Sequence, residues 1–304
     1  MSINYAELKK GGWMRQKQKN KFALRIHVVG GHFTSEQMRT VSEVAEKYGK
    51  GYVHFTSRQS LEIPWMDAAD IDAIKADLAA GGVSPSVCGP RVRTTTACQG
   101  SATCPSACID TYALAQEIDK RYFAQELPGK FKFGITGCRN NCLKTEENDL
   151  GIKGAERVEW IPENCIACGV CVKACRDNAI TLKDGTITVD QEKCTYCGRC
   201  AKACPTAAYE EHPGYLLTFG GTFGNHFHFG ESIVPFVEDH DQLIRICDAT
   251  IDFFSEHGEP GDRLNVSIER YGREKFNEII KEAYAKGVKS TPMPNSTSPT
   301  RSAP

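Results

Sequence analysis

The sequence predicts an α+β protein in which a small cysteine-rich module interrupts a larger domain. Three observations predict this class. Residues 21–85 alternate between strand-like and helix-like patterns, two dense cysteine runs lie within residues 165–204, and helical patterns resume at residue 237. With 304 residues, of which 40% are hydrophobic, the chain is long enough for two or three domains.

The first domain is predicted over residues 21–85, after an N-terminal arm of residues 1–20. KFALRIHVVGG predicts a strand, and SEQMRTVSEVAEKYGK predicts an amphipathic helix that starts at Ser35. GYVHFTSRQSLEIPW predicts two paired extended segments with Arg58 near their bend, and DAADIDAIKADLAAGG predicts a helix that ends at Gly81. This β-α-β-β-α order is that of a ferredoxin-like half-domain.

Composition excludes several classes of function. The 37 Lys and Arg against 38 Asp and Glu leave a net charge of -1, which does not favour nucleic acid or an anionic membrane as a partner. No apolar run approaches the roughly 18 residues of a membrane span, and the N-terminus lacks the apolar core of a signal peptide, so we expect a cytoplasmic protein. In that reducing compartment, 15 cysteines indicate metal ligation rather than disulfides.

The two cysteine runs each follow the spacing C-x2-C-x2-C-x3-C. In such runs three thiolates bind one [4Fe-4S] cluster, and the fourth is a ligand of the other cluster. The first predicted set is Cys165, Cys168, Cys171 and Cys204, and the second is Cys175, Cys194, Cys197 and Cys200. Between the runs, AITLKDGTITVD predicts a hairpin with a type I′ turn at Asp184 and Gly185. Residues 161–209 are therefore predicted to be a bacterial-type two-cluster ferredoxin module, with zinc knuckles as the alternative.

A third set of thiols lies outside these runs. Cys98 and Cys104 are spaced as C-x5-C in RTTTACQGSATCPSAC, and Cys138 and Cys142 as C-x3-C in KFGITGCRNNC. Two such loops supply four ligands for a third [4Fe-4S] cluster, and the alternatives are buried thiols or a zinc site. The three remaining cysteines, Cys88, Cys108 and Cys247, are interpreted as non-ligands.

The paired C-x5-C and C-x3-C motifs resemble those of the siroheme-dependent nitrite and sulfite reductases. The likeness runs from about residue 20 to residue 285 and is strongest to catalytic subunits of anaerobic sulfite reductases, which carry an inserted two-cluster ferredoxin. It implies the nitrite/sulfite reductase fold, with a siroheme/[4Fe-4S] domain over residues 86–160 and 210–286. It also implies that Cys142 bridges its cluster to the iron of a siroheme.

The resemblance further assigns basic residues to the site. GYVHFTSRQSLEIP resembles the family's T-[ST]-R-Q segment and LPGKFK its LP-x-K-F-K segment, which implies that Arg58, Lys130 and Lys132 are catalytic and contact substrate or siroheme. GPRVRTTTAC offers Arg93 for a similar place, with Arg91 as the alternative. Without the resemblance, each would be interpreted as a solvated surface charge.

The segment GYLLTFGGTFGNHFHFG supplies candidate siroheme contacts. Gly220, Gly221 and Gly224 allow a close approach of the backbone to a macrocycle, although an ordinary glycine-rich hairpin is the alternative. His226 and His228 alternate with phenylalanines, and we favour half-buried histidines over cofactor contacts. Helices are predicted in residues 237–258 and in YGREKFNEIIKEAYAKG, and the tail 287–304 is predicted to be disordered.

The function implied is the six-electron reduction of sulfite to sulfide, with electrons passing through the ferredoxin module to siroheme. The alternatives are reduction of nitrite to ammonia and a non-catalytic iron-sulfur relay. The chain carries one copy of a unit that larger family members contain twice, so a homodimer or larger complex is expected. Because no G-x-G-x-x-G fingerprint follows a predicted strand, electrons should come from a donor protein such as a ferredoxin or a flavin/iron-sulfur subunit.

Overall fold

The computed structural model describes residues 3–286, and its N-terminal part is built on a four-stranded antiparallel sheet in the order β1-β2-β4-β3. Its strands are β1 (Trp13–Arg15), β2 (Lys21–Arg25), β3 (His54–Phe55) and β4 (Leu61–Asp67), and its helices are α1 (Tyr5–Lys10), α2 (Ser35–Tyr48) and α3 (Ile71–Ala80). Residues 5–15, which the sequence prediction placed in an arm, instead form α1 and β1, because β1 extends the sheet by pairing with β2.

The alternation in the sequence explains how this sheet divides its side chains. In β2, Phe22 and Leu24 are fully buried beneath the helices, while Arg25 points to the opposite face. The helix α2 begins at Ser35 as predicted, but its cap is Thr34, whose hydroxyl accepts a hydrogen bond from the Gln37 N–H. The second face of the sheet is thereby left free for contact with the rest of the protein.

A second sheet, in the order β10-β7-β6-β5, organises the remaining residues. Its strands are β5 (Thr96–Ala97), β6 (Phe133–Thr136), β7 (Leu150–Trp160) and β10 (Tyr209–Phe219), and the helices of this part are α4 (Thr111–Tyr122), α7 (His240–His257), α8 (Leu264–Tyr271) and α9 (Arg273–Ala285). The strands β5, β6 and β7 run parallel, whereas β10 pairs antiparallel with β7. A single large core of aliphatic and aromatic side chains lies between this sheet and its helices.

The cysteine-rich segment lies between the two longest strands. β7 and β10 pair along their whole length, from Leu150 opposite Phe219 to Trp160 opposite Tyr209, so the segment leaves and rejoins the sheet at adjacent points. It contains α5 (Val170–Ala174), β8 (Ile180–Lys183), β9 (Thr186–Val189) and α6 (Arg199–Lys202). The predicted hairpin turn is confirmed, since Asp184 and Gly185 both have positive φ and connect the paired β8 and β9.

Several other predicted elements are confirmed, including α3, α7 and α9. The helices α4 and α8 were not predicted, and the predicted tail lies outside the described residues. Within residues 3–286, no helix combines the length and the apolar character that crossing a membrane would need.

Two valines on helices provide a matched test of the packing. Val41 on α2 is fully buried, whereas Val266 on α8 is 46% exposed. We expect Val41→Ala to lower the free energy of unfolding by about 2 kcal/mol, because it removes buried methyl groups and leaves a cavity. Val266→Ala should change it by less than about 0.6 kcal/mol, since alanine favours helix and little area is lost. Chemical denaturation measures both values, and equal losses would contradict the assigned burial.

Candidate active site

Two short parallel strands separate the predicted basic residues from the predicted thiol ligands. Arg93 comes shortly before β5 and Lys132 immediately before β6, while Cys98 immediately follows β5 and Cys138 follows β6 by two residues. Since β5 and β6 are parallel neighbours, cations gather at one edge of the sheet and thiols at the other. A four-residue strand spans about 13 Å, which sets the scale of the separation.

The predicted cationic side chains line one cavity of about 260 Å³ between the two sheets. The cations among its lining residues are Arg25, Arg58, Arg93, Lys130 and Lys132, and hydroxyl groups come from Thr56, Ser57, Ser60, Ser86 and Thr94. All four cations predicted for the site therefore face the same space. Arg25 was missed by the sequence analysis, although its position on the unburied face of β2 is visible in the alternating pattern.

Arg58 connects the cavity to both thiol-bearing segments. Its guanidinium donates to the Thr94 carbonyl at 2.9 Å and to Asn148 Oδ1 at 3.1 Å. The next residue, Gln59, makes two hydrogen bonds with the backbone of Ala97, at 2.8 and 2.9 Å, directly before Cys98. Burial lowers the pKa of Arg58 to about 10, opposed by the nearby Asp149 carboxylate, so the group stays charged at neutral pH.

The positive charge in the cavity is largely uncompensated. Arg93 donates to the backbone carbonyls of Val87 at 3.2 Å and Gly89 at 2.9 Å. Arg25 is paired with Glu62 at 2.7 Å, but within residues 3–286 none of the other four cations lies within 4.0 Å of a carboxylate oxygen. Cations held by neutral acceptors keep their charge available for an anion.

The two lysines differ in their surroundings. Lys132 is half-buried, and burial together with the nearby Arg58 and Arg263 charges lowers its pKa to about 8. Lys130 is exposed, and its pKa is also lowered, first by burial of part of its side chain and then by Arg263. At neutral pH both side chains carry a proton, and Lys132 loses it more readily than an ordinary lysine.

The alternative arginine lies outside this cavity. Arg91 forms an ion pair with Glu126 at 2.5 Å and is absent from the cavity lining in the described part of the chain. Its charge is therefore compensated, which favours Arg93 for the predicted role.

The three predicted glycines have different surroundings. A Cβ atom at Gly221 would lie 2.1 Å from the carbonyl oxygen of Glu146 and 2.4 Å from that of Asn148. Glycine is therefore required at this position by packing within the protein itself. Gly220 has a φ of +80° and packs on Asn265, whereas nothing lies within 4 Å of the position that a Cβ would occupy at Gly224. A contact of these glycines with a macrocycle stays a prediction.

The hairpin that follows the glycines exposes aromatic side chains. Thr222 pairs with His228, and Phe223, Phe227 and Phe229 are each about 60% exposed and pack on one another. His226 is exposed and His228 is half-buried. The predicted half-burial therefore holds for only one of the two histidines.

The thiols of Cys98, Cys104, Cys138 and Cys142 lie in one region at the far edge of the sheet. Cys138 is buried, which raises the pKa of its thiol, and the three other thiols lie close enough to raise it further. Cys98 Sγ accepts a hydrogen bond from the Gly137 N–H at 3.0 Å, while Cys142 is exposed. The four candidate ligands thus lie near one another on two loops, and the Cys142 side chain is exposed.

The cysteine-rich segment brings thiols from its two runs together. Tyr209 lies next to Cys171, Cys200 and Cys204, and burial together with these thiols raises its pKa. Burial raises the pKa of the Cys194 thiol, with further contributions from Cys197 and Cys175. Cys175 of the first run therefore lies near Cys194 of the second, and Cys204 shares the neighbour Tyr209 with Cys171, while the crossed ligand sets stay a prediction.

The thiol spacing does not fit a single zinc ion. A tetrahedral zinc with Zn–S bonds of about 2.3 Å holds its sulfurs about 3.8 Å apart. Among the described residues, no three cysteine sulfurs lie within 4.8 Å of one another. The binding of clusters by these thiols stays a prediction.

Two further charged residues, Asp149 and Arg263, lie outside the cavity lining but contact a residue of it. No sequence pattern predicted either of them. Asp149 is fully buried, and Arg263 pairs with it through Nε at 3.1 Å and Nη2 at 2.7 Å. The Lys132 N–H also donates to Asp149, at 2.9 Å. Asp149 precedes a buried strand and Arg263 precedes α8, so neither stands in a motif that would have marked it.

A cation-lined cavity and a group of thiols at opposite edges of one sheet are the combination expected of an iron-sulfur redox protein. The sequence model described as "Nitrite and sulphite reductase 4Fe-4S domain" matches residues 88–288, and that described as "Nitrite/Sulfite reductase ferredoxin-like half domain" matches residues 14–81. The chain belongs to the nitrite and sulfite reductase family, whose members are oxidoreductases. The fold class predicted from the sequence is confirmed by these matches.

Similar proteins include characterised members of the family. An anaerobic sulfite reductase subunit of Salmonella typhimurium is 33% identical over 71% of this chain and 69% of its own length. Coenzyme F420-dependent sulfite reductase of Methanocaldococcus jannaschii is 31% identical over 85% of this chain, which spans 42% of that longer protein. Both lie above 30% identity.

Solved structures show the same fold. A dissimilatory sulfite reductase I matches 91% of this chain and 74% of its own chain with a TM-score of 0.70 and 18% identity. The NirA protein of Mycobacterium tuberculosis matches 94% of this chain but only 48% of its own, with a TM-score of 0.66 and 17% identity. The fold of this chain therefore corresponds to about half of the NirA chain.

Gly129, in the LPGKFK segment, allows a test of how the cavity is held. A Cβ there would lie 1.8 Å from the carbonyl oxygen of Asp262, so Gly129→Ala must push apart the segment carrying Lys130 and the residues before α8. We expect a loss of stability of about 2 kcal/mol and weaker binding of a small oxyanion. Gly11→Ala is the control, since its added methyl group would make only ordinary contacts, with the Leu8 carbonyl oxygen at 3.6 Å and the Trp13 ring at 3.7 Å. Calorimetric melting and oxyanion titration measure both effects, and equal behaviour of the two variants would contradict this constraint.

Proposed function

We propose that this chain is the catalytic subunit of a sulfite reductase that converts sulfite to sulfide at a siroheme coupled to a [4Fe-4S] cluster. The observation that carries the proposal is the cavity in which Arg58, Arg93, Lys130 and Lys132 converge, none of them within 4.0 Å of a carboxylate oxygen in residues 3–286. Siroheme bears many carboxylates and sulfite is a small dianion, so both require cations of this kind. A simple electron relay has no use for such a cavity.

The proposed prosthetic groups fit the donor atoms of the chain. Cys98, Cys104, Cys138 and Cys142 would hold one cluster, and the exposed Cys142 thiolate would also face the siroheme iron. Siroheme, when bound, supplies the metal that holds the substrate and passes electrons to it. Residues 161–209 would hold two further clusters as a ferredoxin module, in the crossed ligand sets that the positions of Tyr209 and Cys194 support.

The cationic side chains would hold the substrate and supply protons. Conversion of sulfite to hydrosulfide consumes six electrons and seven protons and releases three waters, so each departing oxygen needs protons and a stabilised negative charge. Arg58 and Arg93, fixed by backbone carbonyls, are suited to orient the anion. Lys130 and Lys132 are suited to hold protons, since neither has a carboxylate partner in the described part of the chain.

Two alternative functions, nitrite reduction and a non-catalytic electron relay, predict different experimental results. Nitrite is also a small oxyanion, and relatives of this chain include nitrite reductases, such as one from Haloferax mediterranei that is 30% identical over 47% of this chain. A non-catalytic iron-sulfur relay would keep the thiol clusters without binding siroheme. The cation-lined cavity argues against the relay, but it does not separate the two anions.

A visible spectrum followed by turnover measurements tests the proposal. We expect the protein, purified without oxygen, to show the Soret and Q-type bands of a siroheme, and these bands should shift when sulfite is added. With a chemical reductant, kcat/KM should be higher for sulfite than for nitrite. Faster turnover of nitrite would establish the alternative enzyme, and iron-sulfur absorbance without the haem bands would establish the relay.

A homodimer is proposed as the working form. The chain corresponds to about half of the NirA chain, so a second copy could supply what the other half supplies there. In this arrangement, each protomer would give cationic side chains to the siroheme of its mate. The electron donor would be a separate protein, a ferredoxin or a flavin/iron-sulfur subunit, acting through the cysteine-rich segment.

Mixing two inactive variants tests whether a site is shared. A Lys132→Ala protomer keeps its thiol ligands, and a Cys142→Ser protomer keeps its lysines. If each site combines residues of two chains, a mixed dimer contains one complete site, and mixing should restore up to about a quarter of the wild-type turnover, because about half of randomly paired dimers are mixed. No recovery, or a monomer by sedimentation that keeps its haem and full turnover, would contradict the shared site.

A further inference from the structure

The cavity depends on a buried ion pair that lies outside its lining. The Asp149 carboxylate is fully buried and accepts hydrogen bonds from Arg263 Nε, Arg263 Nη2 and the Lys132 N–H. Arg263 also donates to the Gly221 carbonyl at 3.4 Å. A charge that is removed from water in this way needs well-placed partners, so the pair has little freedom to move.

This pair fixes the backbone of one cavity lysine. The N–H of Lys132 donates to the side chain of Asp149, and the carbonyl of Lys132 accepts from the N–H of Leu150 at 3.2 Å. Lys132 is therefore held on both sides by neighbouring residues of a buried strand end. Its side chain is half-buried at the cavity, whereas that of Lys130 is exposed.

The same pair acts on the charge of both cavity lysines, since Asp149 raises and Arg263 lowers the pKa of Lys130 as well as that of Lys132. The charged groups that face Lys132 are Arg58 from the β3–β4 connection, Arg263 from the residues before α8, Asp149 and Lys130. Burial is the largest influence and lowers the pKa of Lys132. The two arginines and Lys130 lower it further, and Asp149 raises it. Asp149 therefore favours the protonated form of Lys132 and Arg263 opposes it.

We propose that Asp149 and Arg263 are positioning residues that fix the backbone of Lys132, so that this half-buried lysine, rather than the exposed Lys130, gives up and regains protons in the cavity. This inference deepens the proposed function and rests on it. In each proton transfer, Lys132 Nζ gives one proton to a substrate oxygen and is left as a neutral amine; an oxygen that leaves as water takes two protons, so Lys132 is reprotonated between two such transfers. It regains one proton from solvent, and no electrons are exchanged with the side chain. Lys130 keeps its charge and holds the anion.

Amine labelling with acetic anhydride, followed by mass spectrometry, reports the protonation of each lysine without requiring turnover. The protein is labelled with its cofactors bound, over a range of pH. We expect Lys132 to become reactive with a midpoint near pH 8, where its pKa lies, and Lys130 to do so at higher pH. A lower midpoint for Lys130 than for Lys132 would overturn the proposal.

Two variants should shift the midpoint of Lys132 in opposite directions. Asp149→Asn removes the charge that favours the protonated form, so the midpoint should fall by about 1. Arg263→Gln removes an opposing charge, so the midpoint should rise. Asp248→Asn is the matched control, because Asp248 pairs with Arg121 and Tyr122 away from the cavity and should leave the midpoint unchanged.

If one variant fails to fold, the other still tests the proposal, because the two expected shifts of the midpoint have opposite signs. If both fail, the Asp149→Asn, Arg263→Gln double variant removes the charges together and leaves no unpaired buried charge. Its midpoint should stay near that of the wild type, while anion affinity falls about tenfold. Unchanged midpoints in both single variants, or an unchanged affinity in the double variant, would overturn the proposal.

The pH dependence of turnover separates this inference from the proposed function. At high pH, kcat should fall as Lys132 loses its proton, and in Asp149→Asn this fall should occur at a pH lower by the same amount as the labelling midpoint. Shifted labelling in a protein that reduces neither sulfite nor nitrite would remove the proposed function but keep the control of Lys132. Turnover with an unshifted pH profile would keep the proposed function but remove the control of Lys132.

Discussion

The parallel pairing of β5 with β6 is the constraint on which the site depends. Both strands are short, and both begin near a cavity-lining cation and end near a thiol. Because parallel neighbours point the same way, two separate stretches of sequence place their charges at one edge and their thiols at the other. The loop of residues 138–148 then returns from the thiol edge to the cavity edge, where Asn148 accepts a hydrogen bond from Arg58. This hydrogen bond connects the cavity to the loop that carries Cys138 and Cys142.

Cavity cations without a carboxylate partner must be held in place by neutral groups of the protein. Arg58 and Arg93 donate to backbone carbonyls and an amide oxygen, so their positions are fixed without neutralising their charge. Asp149, the carboxylate that acts on Arg58, Lys130 and Lys132, is paired with Arg263 and lies outside the lining. Such an arrangement disfavours the empty cavity through mutual repulsion and favours a bound anion. The proposed affinity for anions is therefore linked to the stability of this region.

The sequence predicted much of the architecture and four of the five cations that line the cavity. The alternation in β2, the periodicity of α2 and α7 and the Asp184-Gly185 turn each arise from local preferences, and the structure confirms them. Arg58, Lys130 and Lys132 were found only because they stand in strings that resemble a family. Asp149, Arg263 and Asn148 have no such strings, since a lone charged residue before a strand or helix has the pattern of an ordinary surface residue.

By itself, the sequence determined which thiols occur in ligand-like spacings and which segments form strands and helices, because these properties depend on residues close together in the chain. Only the tertiary structure decided that four cations from three segments face one cavity, that Arg25 joins them, and that a buried carboxylate lies behind Lys132. These contacts join residues up to 114 positions apart, as in the pair of Arg263 with Asp149. Contacts over such separations follow from how the sheets and helices pack, which local sequence patterns do not specify.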